Sequence, residues 1–265
     1  MRLKIMTFNV RGSFHNDGIN DWDERCALNV ATILRHSPDV IGFQEAQRGN
    51  LTTYEDELAG YAFELGALSI RQTEGYHRVP IFWKAGLFEE VDHGSFYLSE
   101  TPDRWSIGWN ATFARAATWV RLRAHASQSE LVILNTHFPH EPEADTARTE
   151  SAWLVVRQLE KLTGDSVPVV VMADFNALPT SEAYQVFTQH GYQDTYTANG
   201  SRADANTFHD FRGPAYPCSS HRIDWILTRD GASSFAVRDC AIITDAAPPL
   251  YPSDHYPVLA KLDLA

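Results

Sequence analysis

Apolar residues fall in short runs of strand length separated by turn residues: LKIMTFNV (3–10), DVIGFQEA (39–46), VPIFWK (79–84), ATWVRLRA (117–124), LVILNTHF (131–138), VPVVVMADF (167–175), RIDWILT (222–228) and HYPVLAKLDL (255–264). Runs of this length, rich in β-branched and aromatic residues, predict β-strands. Between them, residues 23–35, 146–162 and 181–190 carry amphipathic patterns of helical length. Asp23 and Ser181 are the expected N-caps, and the apolar positions from Ala27 to Leu34 form one expected helix face. Strands outnumber helices, and the helices recur between strand pairs. Two mixed sheets packed face to face and covered outside by helices satisfy that order, giving an α/β fold of the four-layer α/β/β/α sandwich type. No repeat, low-complexity tract or linker divides the chain, so one domain over residues 1–265 is expected. The least regular stretches are 66–76 and 199–220, and loops at strand ends are where binding residues tend to sit.

Composition narrows the possibilities. A hydrophobic fraction of 44% supplies a core, and the formal net charge of −12 opposes any broad basic surface for coating nucleic acid. A bound cation and a few local arginines can still reverse the potential inside one cleft. Cys26, Cys218 and Cys240 are too few and too scattered for a disulfide framework or a CxxC metal site, and are read as reduced. The start, MRLKIMTFNV, becomes strand-like at once, with no charged segment leading into an apolar one, and no stretch approaches the roughly 18 apolar residues of a membrane span. A cytoplasmic protein without stable membrane insertion is the expectation.

The chemistry is concentrated where polar residues interrupt the apolar runs. Asn9, Glu45, His137, Asp174 with Asn176, Asp224, and Asp254 with His255 all stand at or beside strand ends. Such groups are costly at the edge of a core unless they are paired or ligate a metal, and a shared rim accounts for all of them. In VVVMADFN, Asp174 and Asn176 share one side of an extended backbone, which suits an oxygen-rich phosphate and metal site. Glu45 closes IGFQEA either as a solvated strand-end charge or as a carboxylate for a hard cation such as Mg²⁺. Asp224 lies between Ile223 and Trp225. It either caps a turn or meets an imidazole whose tautomer it fixes and whose basicity it raises, with His255 the natural partner. His137 follows LVILNT at a strand end, which favours a site role, whereas His140 keeps a structural reading. Arg115 and Trp109, in GWNATFARAAT, either bind a phosphate or stack on a substrate ring, or simply pack.

Taken in order, MTFNVRG, IGFQEA, LNTHF, MADFN, RIDWIL and SDHYPV resemble the motifs of the endonuclease/exonuclease/phosphatase superfamily, whose fold is deoxyribonuclease-I-like, over residues 5–260. WDER (22–25), LSETP (98–102) and GWNA (108–111) resemble its small bacterial stand-alone members. The resemblance implies hydrolysis of a phosphodiester or phosphomonoester by in-line attack of water, dependent on Mg²⁺ or Mn²⁺. It makes Glu45 the main metal ligand, assisted by Asn9 and Asp254. Asp174 and Asn176 then orient the water and hold the scissile phosphate, His255 with Asp224 forms the pair beside phosphorus, and His137 binds a phosphate oxygen or helps to protonate the leaving oxygen.

This chain departs from the family pattern in three places. His77 stands where relatives commonly carry a Glu that orients the histidine matching His137, with Glu74 three residues earlier; Pro139 replaces a common Asp; and Ala173 in MADFN replaces a Gly. The acidic surface and the lack of Lys/Arg runs favour a small-molecule, nucleotide or lipid-linked ester, whereas the many nucleases of the family that the chain resembles favour the alternative, a nuclease acting on DNA or RNA; a monomer is expected. A non-catalytic phosphate-binding module has no need of a His–Asp pair beside a metal carboxylate.

Overall fold

The structure is a computed structural model that describes residues 1–69, 76–200, 205–218 and 220–265. The two stretches expected to be least regular hold all the residues outside that set, Glu74 among them. The strands are β1 (Arg2–Asn9), β2 (Val40–Gln44), β3 (Tyr61–Glu64), β4 (Ile81–Lys84), β5 (Phe88–Tyr97), β6 (Ala116–Ala124), β7 (Glu130–His137), β8 (Val169–Asp174), β9 (Gln193–Asp194), β10 (Asp224–Arg229), β11 (Phe235–Ile242) and β12 (Val258–Leu264). They form two six-stranded sheets, ordered β11-β12-β1-β2-β4-β3 and β5-β6-β7-β8-β10-β9. The longer helices are α1 (Trp22–His36), α2 (Arg48–Glu57), α3 (Asp145–Thr163) and α4 (Glu182–Gln189).

Three apolar clusters define four layers. Leu3, Ile5 and Trp83 of the first sheet meet Leu122, Ile133 and Met172 of the second between the sheets. On the outer faces, Phe8 and Phe43 pack with Ile33 and Tyr54 of α1 and α2, while Leu134 and Val171 pack with Val155 and Phe187 of α3 and α4. The expected α/β/β/α sandwich is therefore present. Each central strand buries both faces, which is why its sequence reads as an unbroken apolar run rather than an alternation.

The apolar pattern missed β3, β5, β9, β11 and α2. Strands β5 and β11 are sheet edges whose middle residues are largely exposed, so their apolar signal is diluted. Helix α2 buries only Asn50, Leu51 and Tyr54. Ser181 caps α4 as expected, accepting from the Tyr184 amide at 3.2 Å, but α1 begins after Asp21, and Asp23 lies in its first turn. The face of α1 also differs from expectation. Ala27 and Leu34 are exposed, and the buried stripe includes Arg25 and Asn29. Arg25 donates to the carbonyls of Val10, Arg11, Asn20 and Pro252, and Asn29 also donates to Pro252. A buried guanidinium is tolerable only with such a complete set of acceptors, and here they tie the ends of β1 to the segment before β12.

Topology gathers the strand ends. Each sheet contains one parallel pair, β1–β2 joined through α1 and β7–β8 joined through α3. A parallel crossover returns the chain so that both strands finish at the same edge. Asn9 thus lies beside Gln44, and His137 beside Asp174, while antiparallel β10 begins with Asp224 opposite Asp174. The two sheets are also pinned together by amides. Asn135 of β7 accepts from Gln44 of β2 at 2.6 Å and donates to the carbonyls of Phe43 and Pro80. Gly42 permits the approach, since a Cβ there would come within 2.7 Å of Met172 and 2.8 Å of Asn135.

Candidate functional site

These ends open onto a cleft of about 670 Å³. At its centre is buried Asp174. Its Oδ2 accepts from Asn9 Nδ2 at 2.9 Å and lies 3.3 Å from His137 Nε2 and 3.7 Å from His255 Nε2. Its Oδ1 accepts from the Asn176 amide at 2.9 Å. Asn176 has φ 47°, so the chain has already left the extended conformation. The two residues are brought together by this carboxylate-closed turn and not, as expected, by strand alternation; Asn tolerates the left-handed region better than most residues. Asn176 Nδ2 donates to the Phe138 carbonyl at 3.1 Å. Burial and the neighbouring charge of Asp224 raise the Asp174 pKa to about 7.

Behind His255 stands Asp224, which accepts from Nδ1 at 3.0 Å through Oδ2; its Oδ1 has no hydrogen-bond partner among the described residues. Burial opposes a charge on His255, but Asp224, Asp174 and Asp254 outweigh it and raise its pKa to about 10. The strap from Thr207 to Asp210 holds this pair in place. Thr207 Oγ1 accepts from the amides of Ile223 and Asp224, the amides of His209 and Asp210 donate to the Asp254 carbonyl, and the ring of Phe208 meets His255 at 5.0 Å.

His137 has a different support. Arg115, itself buried, donates to His137 Nδ1 at 2.9 Å and to His140 Nδ1 at 3.1 Å. Both Nδ1 atoms must therefore accept, which leaves each ring its proton on Nε2. Burial, reinforced by the Arg115 charge, holds the His137 pKa well below its ordinary value. A neutral ring presenting Nε2–H suits the binding of a phosphate oxygen and opposes the alternative of protonating a leaving group. His77, where relatives carry Glu, does not support His137. It packs edge-on against His15 with centroids 5.9 Å apart, and burial lowers its pKa to about 4. The Pro139 carbonyl accepts from Arg148 at 3.0 Å.

Glu45 and Asp254 form the other wall. Glu45 has φ 58°, a left-handed conformation that turns a strand-end side chain into the cleft. Its Oε1 accepts from Asn9 Nδ2 at 3.2 Å, and its Oε2 lies 3.5 Å from His15 Nε2. Burial disfavours the carboxylate charge, but His15, the other nearby imidazoles and Arg11 outweigh it and hold the pKa well below the usual range. Asp254 Oδ1 accepts from Ser253 Oγ at 3.1 Å, and Oδ2 lies 3.9 Å from Arg11 Nε. Burial, together with the charge of Glu45, raises the Asp254 pKa. Asn9 is a link between carboxylates: its Nδ2 serves both Glu45 and Asp174, and its Oδ1 accepts from the Arg11 amide at 3.1 Å.

The donor chemistry fits a divalent cation. Two buried, mutually repelling carboxylates relax when a hard cation lies between them, and oxygen donors suit Mg²⁺ or Mn²⁺. A group of three possible ligands among the described residues is Asp174, Asp224 and His255, with ligand atoms within 4.8 Å of one another. In that trio, however, Asp224 Oδ2 is already bonded to His255, and His255 is held protonated, which makes it a proton-sharing group more than a metal cage.

Of the remaining expected site residues, Arg115 lines the cleft and Trp109 does not. Trp109 is half-buried against the apolar cluster on the outer face of the second sheet. The aromatic residue of that loop at the cleft is Phe113, stacked on His140 at 5.7 Å and 19°. Arg11, Phe14, His15, Phe208 and Phe211 also line the cleft and were passed over in the sequence. Arg11 was the legible one, since it follows the Asn9 strand end by two residues. Among the described residues, no helix is long and apolar enough to cross a membrane.

Similarity to known proteins agrees with this fold. A solved structure from Bacteroides vulgatus described as an endonuclease/exonuclease/phosphatase is 31% identical over 100% of both chains, with a TM-score of 0.89. A mannosyl-6-phosphatase from Bacteroides thetaiotaomicron VPI-5482 is 28% identical, with 98% of this chain and 99% of that one covered and a TM-score of 0.88. Among curated proteins, carbon catabolite repressor protein 4 homolog 3 of Arabidopsis thaliana is 24% identical over 197 residues, 69% of this chain and 42% of its own length. Human nocturnin is 21% identical over 204 residues, 70% of this chain and 45% of its own length. The chain thus spans less than half the length of these two curated relatives. The sequence pattern of the endonuclease/exonuclease/phosphatase family matches residues 6–255, and the chain belongs to that family.

Proposed function

We propose that this chain is a divalent-metal-dependent phosphoesterase that hydrolyses a small phosphate ester by in-line attack of water. The observation that carries the reading is the placing of Asp174 between two buried imidazoles, one protonated and one neutral, in a cleft whose other wall is Glu45 and Asp254. Glu45 and Asp254 would hold Mg²⁺ or Mn²⁺, with Asn9 fixing the Glu45 carboxylate. When bound, the ion would neutralise phosphoryl oxygens that otherwise repel the nucleophile. Asp174, with a pKa near neutrality, takes the proton of the attacking water as its oxygen bonds to phosphorus and the ester P–O bond breaks, the leaving oxygen taking its proton from solvent in the open cleft, and Asn176 helps to position that water. His255, charged and anchored by Asp224, places a positive group beside phosphorus, and His137 donates Nε2–H to a phosphoryl oxygen.

A small substrate is favoured because the arginines of the cleft are committed. Arg11 is bidentate to Asp17 at 2.9 and 3.0 Å, Arg115 serves two imidazoles, and Arg148 binds the Pro139 and Glu141 carbonyls and Asp145. A polynucleotide backbone needs a row of available cations. The likeness to a mannosyl-6-phosphatase supports a phosphomonoester of a sugar-sized molecule. The alternative, a nuclease, is supported by the 56% exposed ring of Phe14 at the cleft, a platform on which a base can stack.

The test is a panel of sugar phosphates, nucleotides, chromogenic mono- and diesters, single-stranded DNA and RNA with Mg²⁺ or Mn²⁺. Phosphate release from the small esters is expected, abolished by EDTA and by His255→Ala or Asp174→Ala. Full activity in EDTA overturns the reading, and preference for the polymers assigns the nuclease.

A further inference from the structure

Beyond the carboxylates, the wall around Glu45 carries imidazoles that the function above does not use. We propose that His15 supplies a nitrogen ligand to the cation held by Glu45, so that this site favours Mn²⁺ and other first-row transition cations over Mg²⁺. The inference rests on the reading of Glu45 as a cation ligand given under Proposed function.

His15 lies on the loop that leaves β1, and this loop is fastened to the segment that follows Glu45. The Ser13 amide donates to Asn50 Oδ1 at 3.0 Å, the Phe14 amide to Gln47 Oε1 at 2.8 Å, and the Gly49 amide to Ser13 Oγ at 3.1 Å. Gly12 admits the contact, since a Cβ there would meet the Gln47 side chain at 2.4 Å. Glu45 and His15 are thus carried on one frame. His15 Nε2 is shielded from solvent and lies 3.5 Å from Glu45 Oε2, long for a hydrogen bond. A shielded ring nitrogen held only by so long a contact is poorly satisfied. Two donors about 2.1 to 2.2 Å from one cation stand roughly 3 to 3.5 Å apart, the spacing seen here. His77 stands behind, its Nδ1 also shielded and without a partner, its ring edge-on to His15. Mg²⁺ prefers oxygen and water, whereas imidazole nitrogen raises affinity for Mn²⁺ and more strongly for later metals.

The test uses the metal-stripped full chain, titrated calorimetrically with MgCl₂ and with MnCl₂, and pulsed electron paramagnetic resonance of the Mn²⁺-loaded protein. Imidazole ¹⁴N coupling to Mn²⁺ is expected in the parent protein. His15→Ala and His15→Gln should remove it and weaken Mn²⁺ binding by about tenfold while moving the Mg²⁺ Kd less than about twofold. Circular dichroism checks the fold of both variants. Absence of ¹⁴N coupling in the parent, or an equal loss of Mg²⁺ and Mn²⁺ affinity on substitution, overturns the proposal and leaves His15 a neighbour of the carboxylate. Coupling that survives His15→Ala and disappears in His77→Gln overturns it in favour of the other ring. Unchanged affinity for both metals in Glu45→Gln defeats the underlying assignment of Glu45 instead.

Discussion

His255 and His137 flank the same carboxylate, are equally buried at 5% exposure, and end in different charge states, one protonated and one neutral. Desolvation disfavours the imidazolium in both. The difference lies in what stands behind Nδ1: a carboxylate, Asp224, at 3.0 Å for one ring and a guanidinium, Arg115, at 2.9 Å for the other. Burial sets how strongly a partner is felt, and the sign of the partner decides the proton count.

Removing the charge of either partner should break this contrast. Asp224→Asn removes the charge that keeps His255 protonated and should lower kcat on a chromogenic phosphate ester by about 10² to 10⁴-fold near neutral pH. A rate within a few-fold of the parent would show that the protonated ring is not used. Arg115→Met leaves His137 without its donor and should cost about 10²-fold in kcat. In the same variant the His137 pKa should rise toward its ordinary value, so a new acidic limb should enter the pH–rate profile. An unshifted profile would mean that burial alone keeps the ring neutral.

Stability should show the same asymmetry. The folded-state pKa of His255, about 10, lies above the ordinary 6.5, so its contribution is complete below about pH 6.5 and is lost as pH rises toward 10. His137 is depressed instead, so it costs stability as pH falls below 6.5. Urea midpoints measured from pH 6 to 10 should fall more steeply in the parent than in Asp224→Asn; parallel curves would sink the linkage. The smallest effect concerns the GWNATFARAAT loop. Phe113→Ala should raise KM several-fold, whereas Trp109→Ala should leave KM within about twofold, because only the former lines the cleft.

The sequence showed which residues end the central strands because those strands are buried on both faces and their polar termini stand out. Asn9, Glu45, His137, Asp174, Asp224 and His255 were visible for that reason, and topology then brought them together. Arg115 was visible only as one of two candidates, since its contact with His137 depends on β6 starting beside the end of β7. His15 and Phe113 sit in loops without periodicity, so nothing local separates them from ordinary loop residues. Arg25 and Asn29 did carry a signal: polar groups where the helix pattern wants apolar ones, noticeable only to a reader who expects a buried clamp.

The amide rivet formed by Gln44 and Asn135 sits one residue before Glu45 and two before His137. Sliding one sheet over the other would tear buried hydrogen bonds that no water can replace. The strand ends that carry Glu45 and His137 are therefore held in a fixed spacing across the two sheets. Deuterium uptake at the amides of Ile133 and Phe43 should accordingly occur only with global unfolding.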